Sequence, residues 1–327
     1  MIITRTPFRV SFIGGGSDMP DFYQKHSGAV LSITINQYMY ISSHRFFEPN
    51  QIRAKYSKTE TVKSVNELQH PILRTVFNQF GITGGLEVSS IADVPSGTGL
   101  GSSSSFTVGL IHNLSVNKNK PFTKETLAQD ACEVEINLLK EPIGKQDQYA
   151  AAYGGLNIFK FNKDGNVETE PVNISIENLQ QLESNLLMFY TGDQRSASNI
   201  LSEQKKNLSD ENKFQSLRQM VALVDEAKQS IIKNNLNDFG KILHQNWLLK
   251  KSLASGISNE NINQAYDAAL KAGAIGGKLL GAGGGGFLLF YVPSDKHQAV
   301  TDSLNPLRKF DFKFETEGSQ LIHYSNE

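Results

Sequence analysis

Pro95-Ser96-Gly97-Thr98-Gly99-Leu100-Gly101-Ser102-Ser103-Ser104-Ser105 runs directly into the apolar segment Phe106-Thr107-Val108-Gly109-Leu110-Ile111. Glycines at 97, 99 and 101 let the backbone turn sharply and aim its N–H groups into one concavity. The apolar segment reads as a helix that begins in the serines. The first N–H groups of a helix lack partners and carry partial positive charge, so loop and helix together form a cradle for a polyphosphate. The serine hydroxyls add donors and an oxygen suited to Mg²⁺. No lysine follows the last glycine, so this is not the usual P-loop. A flexible Gly/Ser linker is the competing reading. It fits poorly with a place between the strand-like Gly85-Leu86-Glu87-Val88-Ser89-Ser90-Ile91 and an apolar helix.

Around that stretch lies a chain of 327 residues, enough for one large or two ordinary domains. Its 39% apolar and 20% charged residues describe a soluble globular protein, and a net charge of −1 points to neither a nucleic-acid nor a membrane partner. The single cysteine, Cys132, excludes an internal disulfide and reads as a small buried residue rather than a nucleophile. The N-terminal residues lack the apolar core of a signal peptide, and no run is long enough to span a membrane; a cytoplasmic protein is expected. Seven histidines show no metal-ligand spacing.

Strands are expected at residues 9–13, 29–43, 154–161, 186–190, 287–292 and near Lys313, with a hairpin turn at Asn162-Lys163-Asp164-Gly165-Asn166. Apolar residues at helical spacing predict helices over 70–80, 123–139, 214–231, 239–249 and 262–269, and another near 295–304. The helix-rich second half suggests a boundary near residue 175, giving domains 1–175 and 176–327.

Two further segments are rich in glycine. Arg9-Val10-Ser11-Phe12-Ile13-Gly14-Gly15-Gly16-Ser17-Asp18 is a strand running into a triple-glycine turn. Its spacing is not the dinucleotide fingerprint G-x-G-x-x-G. Asp18 either accepts hydrogen bonds from sugar hydroxyls or caps a helix over 19–26. The other segment, Gly276-Gly277-Lys278-Leu279-Leu280-Gly281-Ala282-Gly283-Gly284-Gly285-Gly286, is costly in entropy unless a ligand or another backbone packs on it, a mobile loop being the alternative. Between these segments stand Glu133, Glu135 and Asp147. A helix end and the following turn could bring Glu135 and Asp147 to one phosphate site, one carboxylate for Mg²⁺ and one to take a proton from a hydroxyl. Glu133 reads as a solvated helix face.

The three glycine segments, in this order, resemble the motifs of the GHMP kinases, the small-molecule kinases that include galactokinase, homoserine kinase, mevalonate kinase and phosphomevalonate kinase. Pro95 to Ser104 is similar to the central motif P-x-x-x-G-L-G-S-S-[SA], and Lys278 to Gly286 to the C-terminal K-x-x-G-A-G-G-G-G. The resemblance extends over essentially the whole chain. It implies a two-domain α/β fold, an S5-like N-terminal domain and a ferredoxin-like C-terminal domain with the site in the cleft between them. It implies ATP and Mg²⁺ as cofactors. Pro95, Gly97, Gly99, Leu100, Gly101, Ser102, Ser103 and Ser104 would cradle the ATP phosphates. Ser103 and Glu135 would hold Mg²⁺, Asp147 would be the base, and Arg9 would offset charge near the base and the transferred phosphoryl group.

Gly15-Gly16 stand where the galactokinase branch has Glu-His, which makes galactose doubtful. Gly14 to Asp18, Gly144 to Gly155 and Tyr190 to Ser198 look instead like the branch acting on D-glycero-D-manno-heptose 7-phosphate. The implied activity is transfer of the γ-phosphoryl of ATP to the anomeric hydroxyl of that sugar phosphate, for nucleotide-activated heptose. An L-fucokinase-like sugar-1-kinase and a non-catalytic ATP- and sugar-binding sensor are the alternatives. Gly15, Gly16, Ser17, Asp18, Gly283 and Gly284 would line the sugar. Lys145 and Arg195 are candidates for its distal phosphate, each with a plain salt bridge as the competing role.

Overall fold

The computed structural model describes residues 1–192 and 197–325. Two long antiparallel strands, β1 (Ile2–Ile13) and β2 (Gly28–Arg45), begin the chain, joined through the triple-glycine turn and a short helix α1 (Pro20–Tyr23). Burial alternates over Ile2 to Arg5 and becomes continuous from Thr6 onward, so the rest of the strand is covered on both faces. The hairpin β3 (Ile52–Lys55) and β4 (Thr59–Val62), polar and short, was not expected from the sequence. Helix α2 (Pro71–Gln79) and strand β5 (Leu86–Ala92) follow, and β5 leads into the central glycine loop.

That loop opens helix α3 (Ser102–Asn117), buried along nearly its whole length. Helix α4 (Lys124–Cys132) starts at a capping box between Thr123 and Thr126. The helix expected to run to Leu139 stays α-helical only to Cys132 and continues as a π-helical turn over Glu133–Leu138. Helix α5 (Gln146–Tyr153) precedes the hairpin of β6 (Leu156–Phe161) and β7 (Val167–Pro171), whose turn closes through Asn162 N to Asn166 O at 2.9 Å.

The second half comprises α6 (Ile176–Ser184), β8 (Leu186–Tyr190), α7 (Ala197–Asn207), α8 (Glu211–Ile232), α9 (Leu236–Lys251) and α10 (Glu260–Lys271). After them come β9 (Gly276–Leu279), β10 (Phe287–Tyr291), α11 (His297–Ser303), β11 (Arg308–Phe310), β12 (Phe314–Glu315) and β13 (Gln320–Tyr324). Where one strand was expected near Lys313 there are three short ones.

Two sheets result. The first runs β13-β1-β2-β5-β3-β4, with β12 and β6 also paired to β2, and β7 to β6; the second is the antiparallel β11-β8-β10-β9. The expected boundary near 175 falls between β7 and α6, but β12 and β13 cross back to pair with β2 and β1. Residues 314–324 therefore belong to the first sheet, not to a second domain running to the C-terminus.

One buried cluster reaches across the division. It joins Phe8, Val10 and Phe12 of β1 to Val224 of α8, Phe239 and Leu243 of α9 and Leu280. Phe12 meets Phe239 edge-on at 5.3 Å, a geometry that adds to area burial. A second cluster, with Trp247, Tyr266 and Phe290, fills the space under the second sheet. The halves thus meet through packed apolar surface, which fixes the cleft between them. Among the described residues, no helix is long and apolar enough to cross a membrane.

Candidate active site

The central loop is held by its own glycines. Gly97, Gly99 and Gly101 have φ of +77°, +86° and +77°, values disfavoured for any side chain with a Cβ. Arg9 N donates to Leu100 O at 3.1 Å, so the loop takes the hydrogen-bonding edge of β1 that β13 leaves open beyond Arg5. Helix α3 then starts at Ser102, and its first N–H groups have no partner within the helix. The C-terminal glycine run packs on this loop. A Cβ on Gly281 would lie 2.5 Å from Gly99 Cα, one on Gly99 would lie 2.5 Å from Leu280 O, and one on Gly286 would collide with Thr98 O. Another backbone, one of the expected reasons for the run, is in place.

These elements enclose a cavity of about 300 Å³. Its lining includes Gly97, Gly99, Gly101, Ser102, Ser103 and Ser104 from the loop, Arg9 and Ser11 from β1, and Gly15, Gly16 and Asp18 from the triple-glycine turn. Glu135, Glu141, Gln146, Asp147, Ser198, Lys250 and Lys278 add further polar lining.

Arg9 and Asp147 form the centre. Arg9 Nε and Nη2 donate to the two Asp147 oxygens at 2.7 and 2.8 Å, and Nη1 donates to Gly99 O at 2.5 Å. The two-point contact locks the carboxylate orientation, and a buried guanidinium keeps positive charge beside it. Asp147 sits in the first turn of α5, and the next residue, Gln148, turns to a different partner.

That partner is Glu135, which is 1% exposed. Ser103 Oγ donates to Glu135 Oε1 at 2.8 Å and Gln148 Nε2 to Oε2 at 2.7 Å. Burial pushes the carboxyl pKa up to about 7 and the nearby Asp147 adds to this, while hydrogen bonds from Ser103, Gln148 and Ser104 pull the other way. One carboxylate beside one hydroxyl, both hard oxygen donors next to a phosphate cradle, is a set that fits Mg²⁺. Among the described residues there is no group of three or more His, Cys, Asp or Glu side chains placed to hold a metal ion. The π-helical turn separates the neighbouring acids: Glu135 points in, whereas Glu133 is exposed and bonded to Asn137 at 2.5 Å.

Asp18 does not cap α1. Its carboxylate accepts from Gly16 N at 2.9 Å, Gln146 N at 3.1 Å and Gln146 Nε2 at 3.2 Å, and burial, then Asp147, raise its pKa. The cap position is Met19, with no side-chain bond.

Other expected site residues are occupied elsewhere. Ser17 is buried, its hydroxyl donating to Ala29 O and accepting from Ala29 N. Lys145 donates to Gly165 O at 2.6 Å and lies 5.1 Å over the Tyr23 ring. Gly283 packs on Ile257, and Gly284 N donates to Ile257 O at 2.9 Å. Pro95 and Leu100 support the loop: Thr98 Oγ1 donates to Pro95 O, and the Leu100 side chain is buried. None of these six is in the cavity's described lining. Arg195 lies outside the described residues.

The sequence reading missed Lys250, Gln146, Gln148 and Gln204, and left Lys278 without a role. Lys278 Nζ donates to Ser11 O at 2.7 Å and Phe12 O at 3.1 Å, and burial drives its pKa well down. Lys250 Nζ donates to Gly15 O at 3.1 Å and Gln204 Oε1 at 2.8 Å. The available signal was Asn246 and Lys250, polar residues one turn apart on the face of α9 that carries Phe239 and Leu243 into the core.

Comparison with known proteins bears on this geometry. The model for the GHMP kinases N terminal domain matches residues 65–155, and that for the GHMP kinases C terminal matches 227–305, together just over half of the chain. The chain is 29% identical over 332 residues to D-glycero-alpha-D-manno-heptose 7-phosphate kinase from Campylobacter jejuni, covering 97% of each chain. It is 23% identical to galactokinase from Pyrococcus furiosus, over 98% of this chain and 97% of that one. A D-glycero-D-manno-heptose 1-phosphate kinase from Bacteroides thetaiotaomicron shares the fold, with TM-score 0.82 and 22% identity over all of both chains. A putative sugar kinase from Campylobacter jejuni superposes with TM-score 0.74 and 26% identity over 98% of both chains. With both family domains matched in order and the fold shared from end to end, the chain belongs to the GHMP kinases and is a sugar kinase, a phosphotransferase with an alcohol group as acceptor.

Proposed function

We propose that this kinase transfers the γ-phosphoryl of ATP, with Mg²⁺, to the anomeric hydroxyl of D-glycero-D-manno-heptose 7-phosphate, giving the 1,7-bisphosphate for nucleotide-activated heptose. The observation that carries the reading is the pairing of Arg9 with Asp147 beside Ser103 and Glu135, at the mouth of α3 and in one cavity. The heptose-phosphate kinase from Campylobacter jejuni supplies the sugar.

In this reading the unpaired N–H groups of Ser102 to Ser104 hold the nucleotide phosphates, as helix N-termini do. Ser103 and Glu135 would hold Mg²⁺, which supplies charge neutralisation across the transferring phosphoryl when bound. Asp147 accepts the proton of the anomeric hydroxyl as that oxygen bonds to phosphorus and the bond to the ADP oxygen breaks. Arg9 keeps the carboxylate aimed and places positive charge beside the phosphoryl as it moves. Asp18, Gln146 and the Gly15–Gly16 backbone bind the sugar hydroxyls. Positioning and preset charge do the catalysis, as is usual for phosphoryl transfer. The lobes divide near residue 175 in this reading, with residues 314–324 returned to the first.

Initial rates with MgATP and heptose 7-phosphate, heptose or L-fucose, with the product's new phosphate located by NMR, test the proposal. The phosphorylated heptose is expected to be the efficient acceptor and the anomeric oxygen the site. Equal efficiency on free heptose, or faster turnover of L-fucose, overturns it in favour of an unphosphorylated acceptor. Binding of ATP and sugar without turnover would make the chain a sensor.

A further inference from the structure

The polar wall of the cavity is unevenly matched. On the side of Ser103 and Asp147, each charged group has a designated partner. On the side of the triple-glycine turn, Lys250 is 5% exposed and has no carboxylate within ion-pair distance among the described residues. Its partners are a backbone carbonyl, Gly15 O, and an amide oxygen, Gln204 Oε1. An ammonium group has three N–H donors, so one remains uncommitted. Beside it, Gln204 Nε2 is fully buried and has no partner at all. A Cβ on Gly16 would collide with that Nε2 and would come within 3.2 Å of Lys250 Nζ, so both nitrogens pack against the bare Gly16 backbone. Gly16 and Lys250 line the cavity, and the buried Gln204 stands directly behind them. Ser11 Oγ and Gln146 Oε1, on the same stretch of wall, are also buried without partners.

Burying a cation without a counter-ion is costly, and burying an amide N–H₂ without an acceptor adds to it. The cost shows in a Lys250 pKa lowered by burial to about 8, with Asp18 offsetting part of the loss. An anion bound at this place would recover both.

The order of groups along the wall says which anion. Asp147 stands at one end. Next to it in the chain is Gln146, whose N–H and side-chain amide both bond Asp18; Asp18 in turn bonds Gly16 N, and the Gly15–Gly16 turn carries Lys250. The row reads base, hydroxyl-binding groups, cation. It matches an acceptor with a reacting hydroxyl at one end, a polyol in the middle and a phosphate at the other.

We propose that Lys250 and the Gln204 amide form the seat for the phosphate the acceptor already carries, and so select a phosphorylated sugar over a free one. The inference rests on the sugar-phosphate reading above. It assigns to α9 and α7 the role first sought in Lys145, whose ammonium is bonded to Gly165 O, and in Arg195, which lies outside the described residues.

The test is the ratio of kcat/KM for heptose 7-phosphate to that for heptose, in wild type, Lys250→Met and Gln204→Glu. Gln204→Glu keeps Lys250 paired, so it is expected to fold even if Lys250→Met does not, yet it sets a negative charge against the incoming phosphate. Both variants are expected to lower the ratio at least about 30-fold, the scale for removing one partner of a buried charge pair. The KM for ATP should change little. Because Lys250 also holds Gly15 O of the sugar-binding turn, efficiency on free heptose should fall as well, but far less than efficiency on heptose 7-phosphate. An unchanged ratio, an equal loss on both sugars, or an effect confined to the KM for ATP overturns the assignment. If the wild-type enzyme itself does not prefer the phosphorylated sugar, the sugar-phosphate reading has failed instead. Inorganic phosphate then decides the seat: with MgADP bound, millimolar phosphate should raise the melting temperature of wild type and not of either variant, and an equal rise in all three rules the seat out.

Discussion

The two sides of the cleft solve burial of charge differently. On the side of α3 and α5, Arg9 is neutralised by Asp147 through two hydrogen bonds, and both oxygens of Glu135 are bonded to Ser103 and Gln148. On the side of the triple-glycine turn, Lys250 and Lys278 are as deeply buried but rest on carbonyl and amide oxygens. The first side is prepared for a reaction: its groups hold one another in orientation before anything binds. The second is prepared for a ligand: its charge is balanced only when an anion arrives. A site that moves a phosphoryl group onto an acceptor needs both kinds of wall.

The comparison breaks most visibly at Asp147. Asp147→Asn keeps an acceptor for Arg9 and removes the proton acceptor, so folding and MgADP binding should persist. Turnover should fall about 10²- to 10⁴-fold, the range for a positioned base. Near-normal turnover, measured as the initial rate under saturating substrates, would show that the α5 side orients nothing reactive.

Glu135→Gln should raise the Mg²⁺ concentration for half-maximal rate about 10- to 100-fold, with Ser103→Ala in the same direction, the scale seen when ligands or their supports are lost. Exposed Glu133→Gln is the control and should leave the Mg²⁺ titration in place. Equal sensitivity at 133 and 135 would remove the distinction that the π-helical turn creates.

The two sides are held in register by backbone contact between the glycine loops. Gly281→Ala forces a side chain onto φ +76° and against Gly99 Cα. It should destabilise the fold by about 2 kcal/mol or more, read as a shift in denaturant midpoint. A stability loss below a few tenths of a kcal/mol would mean the loops are not coupled.

The smallest effect belongs to a group away from the cavity. His112, on α3, is 4% exposed and hydrogen-bonded to Ser319, which also meets Thr6, pinning the returning C-terminal segment to β1. Burial lowers its pKa from 6.5 to about 4. The unfolded chain therefore binds the proton first as pH falls. The contribution is intact above pH 6.5 and is lost progressively down to about pH 4, at about 2 kcal/mol by pH 5. His112→Gln should flatten that part of the stability profile, whereas pH 5 and pH 7 stabilities that differ equally in wild type and variant would show that His112 does not titrate this way.

The side of α3 and α5 was legible in the sequence partly from local chemistry and partly from the resemblance to the GHMP kinases, which supplied the roles expected of Arg9, Ser103, Glu135 and Asp147. Alternating glycines and a serine run ahead of an apolar segment favour a turn into a helix N-terminus over a flexible linker, and the spacing of Glu135 and Asp147 across a helix end allows both to reach it. The triple-glycine turn and the C-terminal glycine run were legible for the same reason, since positive φ and close approach require glycine. What the sequence could not state is what lies opposite. That Gly281 faces Gly99 rather than a ligand, that Glu135 points inward while Glu133 points out, and that Lys145 turns to a hairpin carbonyl all depend on neighbours far away in the chain. The same holds for Lys250, which as a residue type is usually solvated. Only the packing of α9 across β1, through Phe239 against Phe12, buries its ammonium at Gly15. The return of residues 314–324 to the first sheet is also decided by pairing over nearly the full length of the chain, for which strand propensity carries no signal. The sequence by itself determined the chemistry of each wall segment; the tertiary structure decided which segments face each other, because burial and unmet hydrogen-bond demand are properties of the assembled space.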